Sequence, residues 1–451
     1  MKQLKQRTPA FWVSCVGVIA VALMFLLWWG KFSYYSAGAR IAAILSAGLF
    51  VCVGIRFAPE LVRFWSAGEP LKENLNTDAK PGFLPKLFLA LLGWDLLVLL
   101  AAWPLRILLH GETSLANSMT AWVCGDGVHY LDIARDWYLS EGSIDRLVQL
   151  VFLPAYPLLV RLLHLVIPNW TYAALAVSGL CFAAAGCLLY KLLRLDLEHK
   201  AAVRGILLLC LMPGSFFFAA PMSESLFLLC CVGCIYFART ERWLPACLFG
   251  AVGAFTRSLG VTLLVPLLTE LIARRVRGEI SIKTTILRCL MLLLIPAGFG
   301  VYVYINYKVA GNPLQFLTYQ SEHWNQKLGL FFNTAAYQFE YAKSSAENNM
   351  ENLLGLWLPN LTAQALSLGL MIYGAKRLRA SYTTWYFVYF FIAIGTTWLL
   401  SAPRYLMAFF PNVIVLSGIT ERNRLRSSLL PVMLGLWGLY FLVFILRWQV
   451  Y

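Results

Sequence analysis

Five short polar segments interrupt an otherwise apolar chain, and they hold the side chains that could do chemistry. In chain order, these segments are Gly125–Arg135, Pro221–Ser225, Thr256–Ser258, Gln320–Trp324 and Pro403–Tyr405. Their carboxylates could accept protons, and their arginines could hold an anion through paired hydrogen bonds. Charges placed so close to apolar runs are costly and usually functional. The segments are therefore candidates for a single site.

Each of the main charges also has an ordinary structural interpretation. Asp126 could cap the amphipathic stretch His129–Tyr138, and Glu224 could cap the helix that follows it. Arg257 and Arg404 could simply extend to lipid phosphates at the ends of their helices. The residue types alone therefore leave both interpretations open.

Other polar and sulfur-containing residues favour packing over chemistry. His323 could be a structural loop residue or a second base, and Asp95, inside an apolar run, is expected to hydrogen-bond to a neighbouring helix. Cys230, Cys231 and Cys234 are spaced like metal ligands, but they lie in an apolar run without a nearby histidine or carboxylate. We therefore expect no metal site and no cofactor.

The composition indicates that the chain around these segments lies in a lipid bilayer. Of 451 residues, 60% are hydrophobic and 13% are charged, about half the charged fraction of a soluble domain. Many apolar runs are long enough to cross a bilayer as helices. We expect an all-α polytopic membrane protein, with residues 1–451 forming one integral membrane domain.

The net charge of +15 does not indicate nucleic-acid binding, because lysine and arginine gather between the apolar runs, as in cytoplasmic loops. The basic clusters are the N-terminus (Met1–Arg7), Arg56–Lys86, Lys191–Arg204, Arg239–Arg242, Arg274–Arg288, Lys376–Arg379 and Arg422–Arg426. Two crossings between each neighbouring pair of the seven clusters give twelve spans, and one more after the last cluster makes thirteen, with the N-terminus inside and the C-terminus outside. The predicted spans are 11–30, 38–57, 87–105, 171–191, 201–219, 225–238, 243–255, 259–273, 289–306, 353–375, 382–400, 406–419 and 428–447.

This topology leaves two large loops on the outer face, at 106–170 and 307–352. The apolar stretch Leu147–Ile167 is excluded as a span, because Pro154 and Pro157 would break a continuous helix. It is predicted to be an interfacial or re-entrant element within the first loop. All five polar segments then lie on the outer side of the membrane.

In this order, the segments resemble PIG-V-type mannosyltransferases over roughly residues 120–415. The resemblance rests on Asp126–Ala134, Phe152–Arg161, Pro213–Phe227, Thr256–Gly260, Gly311–Trp324 and Ser401–Pro411. The sequence departs from the family at Gly125, where a tryptophan is usual, and at Met222, where a tyrosine is frequent. These departures leave the exact sugar and acceptor open.

The resemblance implies a GT-C bundle with interfacial helices in a long first outer loop. It also implies a polyprenyl (dolichyl) phosphate sugar donor, typically carrying mannose, and Asp126 as the general base. Arg257 and Arg404 are suited to hold the phosphate of the leaving group. Direct displacement with inversion at the anomeric carbon is expected, and a metal is not required.

The remaining polar residues are assigned to binding of the sugar or the acceptor. This set is His129, Tyr130, Glu224, Gln320, Glu322, His323, Trp324 and Tyr405. The expected partners are the polyprenyl-phosphate donor, a lipid or glycan acceptor and membrane lipids, with no nucleic acid.

Two other functions remain open at this stage. A lipid or polysaccharide transporter or flippase should carry inverted repeats and polar groups near the midplane, whereas here the polar groups gather on one face. A non-catalytic scaffold would not need the set formed by Asp126, Arg257 and Arg404. The lack of a retention signal at the C-terminus favours a bacterial plasma membrane over the endoplasmic reticulum.

Overall fold

Long apolar runs form helices because a helix satisfies its own backbone hydrogen bonds. The structure, a computed structural model, describes residues 2–65, 82–111, 114–421, 423–448 and 450. Within these ranges the regular elements are helices, apart from an isolated antiparallel bridge between Leu328 and Thr396. The predicted all-α fold class is confirmed.

Parts of several predicted features lie outside the described residues. These parts are Met1 of the basic N-terminus, 66–81 of the Arg56–Lys86 cluster, 112–113 of the first outer loop and Arg422 of the Arg422–Arg426 cluster. The side chains of 2–8 and 423–426 are likewise not described.

The helices follow one another with short connections. The first seven are α1 (Lys2–Phe32), α2 (Ala37–Trp65), α3 (Phe83–His110), α4 (Leu115–Thr120), α5 (Asp126–Asp136), α6 (Ile144–Leu147) and α7 (Ala155–His164). The next seven are α8 (Trp170–Arg194), α9 (His199–Leu211), α10 (Glu224–Arg239), α11 (Trp243–Thr256), α12 (Leu264–Val276), α13 (Ile282–Leu292) and α14 (Leu294–Ala310).

The last third of the chain contains eight further helices. They are α15 (Gln315–His323), α16 (Phe331–Asn348), α17 (Met350–Asn352), α18 (Leu358–Gly374), α19 (Ala380–Ile394), α20 (Ala402–Met407), α21 (Pro411–Ile419) and α22 (Asn423–Ile445). Tight 3₁₀ turns occupy Val148–Val151, Ser215–Phe218 and Ser258–Leu263, and a π-helical turn occupies Leu353–Trp357.

Within the described residues, seven segments are long and apolar enough to cross a membrane. They are Pro9–Phe32, Ala37–Trp65, Phe83–His110, Trp170–Arg194, Ile282–Ala310, Met350–Gly374 and Ser427–Ile445. The chain is thus a multi-helix protein with the composition of a polytopic membrane protein. The other six predicted spans fall on helices of at most 16 residues, so the count of thirteen stays a prediction.

The stretch Leu147–Ile167 is not one straight helix. The segments Ile144–Val151 and Ala155–His164 meet at an angle of 109°, and Pro154 lies at the break, immediately before α7. The Tyr302 hydroxyl donates to the Leu150 carbonyl at 2.5 Å and holds the first segment against α14. These contacts do not test the predicted interfacial position of Leu147–Ile167.

Close approach of two backbones positions the 3₁₀ turn Ser258–Leu263. A β-carbon at Gly260 would overlap the backbone of Gly253 and Ala254 in α11, so only glycine fits there without a shift. The turn therefore folds tightly back on α11. Arg257 lies at the junction between the two elements.

A buried asparagine positions α20 in a similar way. The Asn360 side chain donates to the Leu400 carbonyl at 3.0 Å and accepts from the Ala402 amide at 2.6 Å. These bonds satisfy polar groups at the start of α20, which carries Arg404.

Replacing Gly260 by alanine should destabilise the protein by about 1–3 kcal/mol, because the added methyl group forces the turn away from α11. Gly369→Ala is the matched control, since Gly369 is exposed in α18 and an added β-carbon meets nothing within 4 Å. Thermal unfolding in detergent should show a lower midpoint for Gly260→Ala alone. Equal midpoints for the two variants would contradict this account of the turn.

Candidate functional site

Glu224 lies at the centre of a buried ion-pair cluster. It is the first residue of α10, and its side chain is fully buried. Its Oε1 atom accepts hydrogen bonds from Nε of Arg404 at 2.7 Å and from Nη1 of Arg257 at 3.0 Å. A buried carboxylate is tolerated only when it is paired in this way. Glu224 therefore fixes both arginines.

Arg404 joins this carboxylate to a second one. Its Nη2 atom lies 2.7 Å from Oδ2 of Asp126 and 2.5 Å from Oε1 of Glu224. The result is a chain of alternating charges, Asp126–Arg404–Glu224–Arg257, with two positive and two negative members. The fold thus brings together four residues from distant parts of the sequence.

Glycine permits the local geometry at Asp126, the first residue of α5. Gly125 has φ of 50°, a left-handed conformation that favours glycine. A β-carbon at Gly127 would lie 3.3 Å from Pro221, so this glycine allows α5 to approach the segment 221–225. The glycine at 125, where the resembling family usually has tryptophan, fits this backbone conformation.

Aromatic contacts support the two arginines. The Arg257 guanidinium lies 5.1 Å from the centre of the Tyr405 ring, and that of Arg404 lies 5.3 Å from the centre of the Phe217 ring. The Tyr130 hydroxyl and the Ser223 hydroxyl are 2.9 Å apart, which ties α5 to the residue before Glu224. The two cation–π contacts help to hold the guanidinium groups of Arg257 and Arg404, and they leave N–H donors of these groups for a ligand.

The pKa of Asp126 is lowered from its ordinary value of 3.8. Burial alone would raise this pKa, but the positive charge and hydrogen bond of Arg404, together with the charge of Arg257, outweigh it. About a third of the side chain, 32%, remains exposed. Asp126 is therefore an ionised carboxylate with an accessible face.

The exposed face of Asp126 opens into a cavity of about 330 Å³, which we call the first cavity. This volume lies at the lower end of small-molecule pockets. Seven of the predicted site residues lie on its wall, namely Asp126, Tyr130, Arg257, Gln320, Trp324, Arg404 and Tyr405.

The other four predicted site residues do not line the first cavity. Glu224 lies buried behind the arginines and is not on the wall. The His129 ring stacks on Phe152, with ring centres 4.8 Å apart. Glu322 and His323 are exposed on α15. The structure therefore separates these residues from those that a ligand in the cavity would touch.

Several lining residues were missed by the sequence analysis. They include Phe152, Leu153, Phe316, Gln326, Trp398 and Ser401. The Gln326 amide donates to the Trp398 carbonyl at 3.0 Å, a pairing beside the isolated bridge between Leu328 and Thr396. No local sequence pattern marks this contact, whereas Phe152, Phe316 and Ser401 lie within segments on which the family resemblance rests.

Among the described residues, no group of three or more histidine, cysteine, aspartate or glutamate side chains could hold a metal ion. Glu224 and Asp126 instead direct their oxygens at arginine. The charged chemistry of the cluster is thus that of carboxylates and guanidiniums.

Comparison with known proteins adds a partial relative. No protein-family profile matches the chain. A stretch of 113 residues is 34% identical to GPI mannosyltransferase 2 of Drosophila pseudoobscura pseudoobscura, covering 23% of this chain and 24% of that protein. The chain thus spans about a quarter of the length of this relative.

A solved structure is also similar over a larger region. The archaeal oligosaccharyltransferase AglB from Archaeoglobus fulgidus, solved with an inhibitory peptide and a dolichol-phosphate, aligns with 82% of this chain and 56% of its own. The TM-score is 0.40 and the sequence identity is 11%.

Replacing Glu224 by glutamine should strongly destabilise the protein, by about 3–5 kcal/mol, because Arg404 and Arg257 would lose their shared buried counter-charge. Glu347→Gln, which removes an exposed carboxylate from α16, is the control and should be nearly neutral. Thermal unfolding of both variants in detergent measures the difference. A Glu224→Gln protein as stable as the control would show that the cluster is not a structural support.

Proposed function

We propose that this protein is a membrane glycosyltransferase, which transfers a sugar from a polyprenyl-phosphate donor to a hydroxyl group of a lipid or glycan acceptor. The observation that carries the proposal is Arg404, which lies on the wall of the first cavity and pairs with Asp126 on the same wall and with Glu224 behind it. This arrangement places a partly exposed carboxylate beside two guanidiniums. Transfer from a lipid phosphate needs both kinds of group.

The guanidiniums of Arg257 and Arg404 would bind the donor phosphate. A guanidinium carries five N–H donors. The bonds to the two carboxylates use Nε and Nη2 of Arg404 and Nη1 of Arg257. Further donors on both groups could therefore reach phosphate oxygens and stabilise the charge that develops on the leaving group.

Asp126 would act on the acceptor side of the reaction. Its ionised carboxylate would accept the proton of the acceptor hydroxyl as the hydroxyl oxygen forms a bond to the anomeric carbon. The bond from that carbon to the phosphate oxygen breaks, and the electron pair leaves with the polyprenyl phosphate. A nearby carboxylate also stabilises the oxocarbenium character of the anomeric carbon. Attack opposite to the leaving group would invert the configuration.

The remaining wall of the first cavity offers contacts suited to a sugar. Trp324 and Tyr405 supply aromatic faces, while Gln320 and Tyr130 supply polar groups. Glu224 takes a different role from the one assigned by the sequence, because it lies behind the wall and positions the arginines. His129, Glu322 and His323 would contact an acceptor only if it extends beyond the first cavity.

The proposal also includes the sugar that is transferred and the face of the membrane on which the site lies. Mannose is favoured by the name of the partial relative, GPI mannosyltransferase 2, and by the resemblance of the polar segments to PIG-V-type enzymes. We place the site on the extracytoplasmic face, because basic clusters are predicted on the opposite side. Assignment to a bacterial plasma membrane stays a prediction.

Asp126→Asn should reduce transfer by about 10²–10⁴-fold, because the amide cannot accept the acceptor proton. The assay measures transfer of radiolabelled mannose from dolichyl-phosphate mannose to a membrane lipid extract by purified protein. Asp145→Asn, an exposed position in the same predicted outer loop, is the matched control. Wild-type rates from Asp126→Asn would contradict the role of Asp126, and transfer by no variant would contradict the reaction and favour the transporter alternative.

The pH dependence of transfer should follow the lowered pKa of Asp126. A carboxyl group whose pKa is depressed stays ionised above its ordinary value and is protonated only in stronger acid, so we expect no loss of activity through Asp126 from about pH 8 down to pH 5. The donor phosphodiester does not titrate in this range. The rate should be measured with saturating donor in wild type and in His129→Gln, since His129 is close enough to act on Asp126. A fall in the transfer rate that begins above about pH 5 on acidification, in His129→Gln as well as in wild type, would argue against the role of Asp126.

A further inference from the structure

Arg404 also lines a second cavity, which is separate from the one described above. This second cavity has a volume of about 310 Å³ and shares Gly125 and Arg404 with the first. Two more arginines and several apolar side chains complete its wall. Its charged and aromatic lining residues are Arg106, Arg404, Arg447, Phe217, Phe444 and Trp448.

The charge of the second cavity favours an anion. Three arginines and no aspartate or glutamate are among its described lining residues. All three also act on the thiol of Cys124, which lies on the same wall: burial raises the pKa of this thiol, the charges of Arg106, Arg404 and Arg447 oppose that rise, and the charge of Asp126 adds to it. The positive charges therefore converge on one point of the cavity.

The second cavity lies beside the ends of two long apolar helices. Arg106 lies near the end of α3, and Arg447 lies just beyond the end of α22. Both helices contain segments long and apolar enough to cross a membrane. The His110 ring and the Ile445 carbonyl are hydrogen-bonded at 2.8 Å, so the two helix ends lie side by side. Basic side chains where spans end meet the phosphate layer of a bilayer.

The backbone at Arg447 is unusual for a residue with a long side chain. Its φ is 60°, a left-handed conformation that is costly for most L-residues and is normally occupied by glycine or asparagine after a helix. Arg447 is nevertheless one of the residues that line the cavity. An arginine at a position better suited to glycine is consistent with a requirement for its charge.

We infer that the second cavity binds the anionic phosphate group of a membrane lipid, with Arg447 and Arg106 as additional phosphate ligands beside Arg404. The aromatic rings of Phe217, Phe444 and Trp448 would pack against the attached apolar chain, which favours a lipid over free phosphate. This inference goes beyond the proposed transfer reaction, because binding here can be measured without a sugar donor or acceptor.

The test uses Cys124 as a local reporter, because it lines the second cavity and not the first. The rate of alkylation of Cys124 is measured by peptide mass spectrometry in the purified full-length protein, with the rate in the absence of any added probe as the reference. The probes are dioleoyl phosphatidic acid, dioleoyl phosphatidylcholine and inorganic phosphate. Phosphatidic acid should protect Cys124 at lower concentration than either of the other two.

Arg447→Asn is the deciding variant, since asparagine accepts the left-handed backbone and removes the charge. The concentration of phosphatidic acid that gives half-protection should rise about tenfold, as expected for loss of a charge-assisted hydrogen bond. For each variant, the alkylation rate of Cys124 with lipid is divided by the rate without lipid. A change in the intrinsic reactivity of the thiol then affects both rates equally. Lys343→Gln, which removes an exposed charge from α16, should behave as wild type.

Three outcomes would overturn the inference. Equal half-protection in Arg447→Asn and wild type would exclude Arg447 as a ligand. Loss of protection in Arg257→Gln together with full protection in Arg447→Asn would place the phosphate in the first cavity. Equal protection by inorganic phosphate and phosphatidic acid would show that the cavity does not select a lipid. None of these outcomes depends on sugar transfer, so failure here is separate from failure of the proposed reaction.

Discussion

The ion pairs that surround the buried carboxylate of Glu224 are the constraint on which the site depends. A charge without solvent must be neutralised by close partners, and here the partners are Arg257 at the end of α11 and Arg404 in α20. Both arginines donate hydrogen bonds to the Oε1 atom of Glu224. Arg404 in turn holds Asp126. The positions of all the charges in the site therefore follow from the burial of one of them.

Arg404 connects this constraint to function, because it forms part of the wall of both cavities. In the first cavity it lies beside the partly exposed Asp126, and in the second it lies with Arg106 and Arg447. The burial of Glu224 and Arg404 strengthens the electrostatic interaction between them. A phosphate that approached Arg404 from either side would change the electrostatic environment of Asp126. The two cavities thus have this arginine in common.

The sequence was sufficient to select the polar segments, because charges beside apolar runs are unusual, but it could not show which side chains share a face. Gln320 in α15 and Trp324 directly after its end both line the first cavity, whereas Glu322 and His323 are exposed. The burial of Glu224 depends on tertiary packing, so its role behind the wall was not visible. Gln326 reaches the cavity through a contact with a distant loop. The helical fold was predictable from composition, whereas the number of spans was not, because several helices are too short to be judged by length.

The central claim is that Glu224 and Arg404 act as one electrostatic unit, and a double-mutant cycle measures this directly. The free energy of unfolding is determined for Glu224→Gln, Arg404→Gln and the double variant under the same detergent conditions. We predict that the double variant is more stable than the sum of the single effects implies, with a coupling of about 1–3 kcal/mol, because each single change removes one partner of a buried ion pair. Effects that add to within about 0.5 kcal/mol would show that the two residues are independent and would contradict the account.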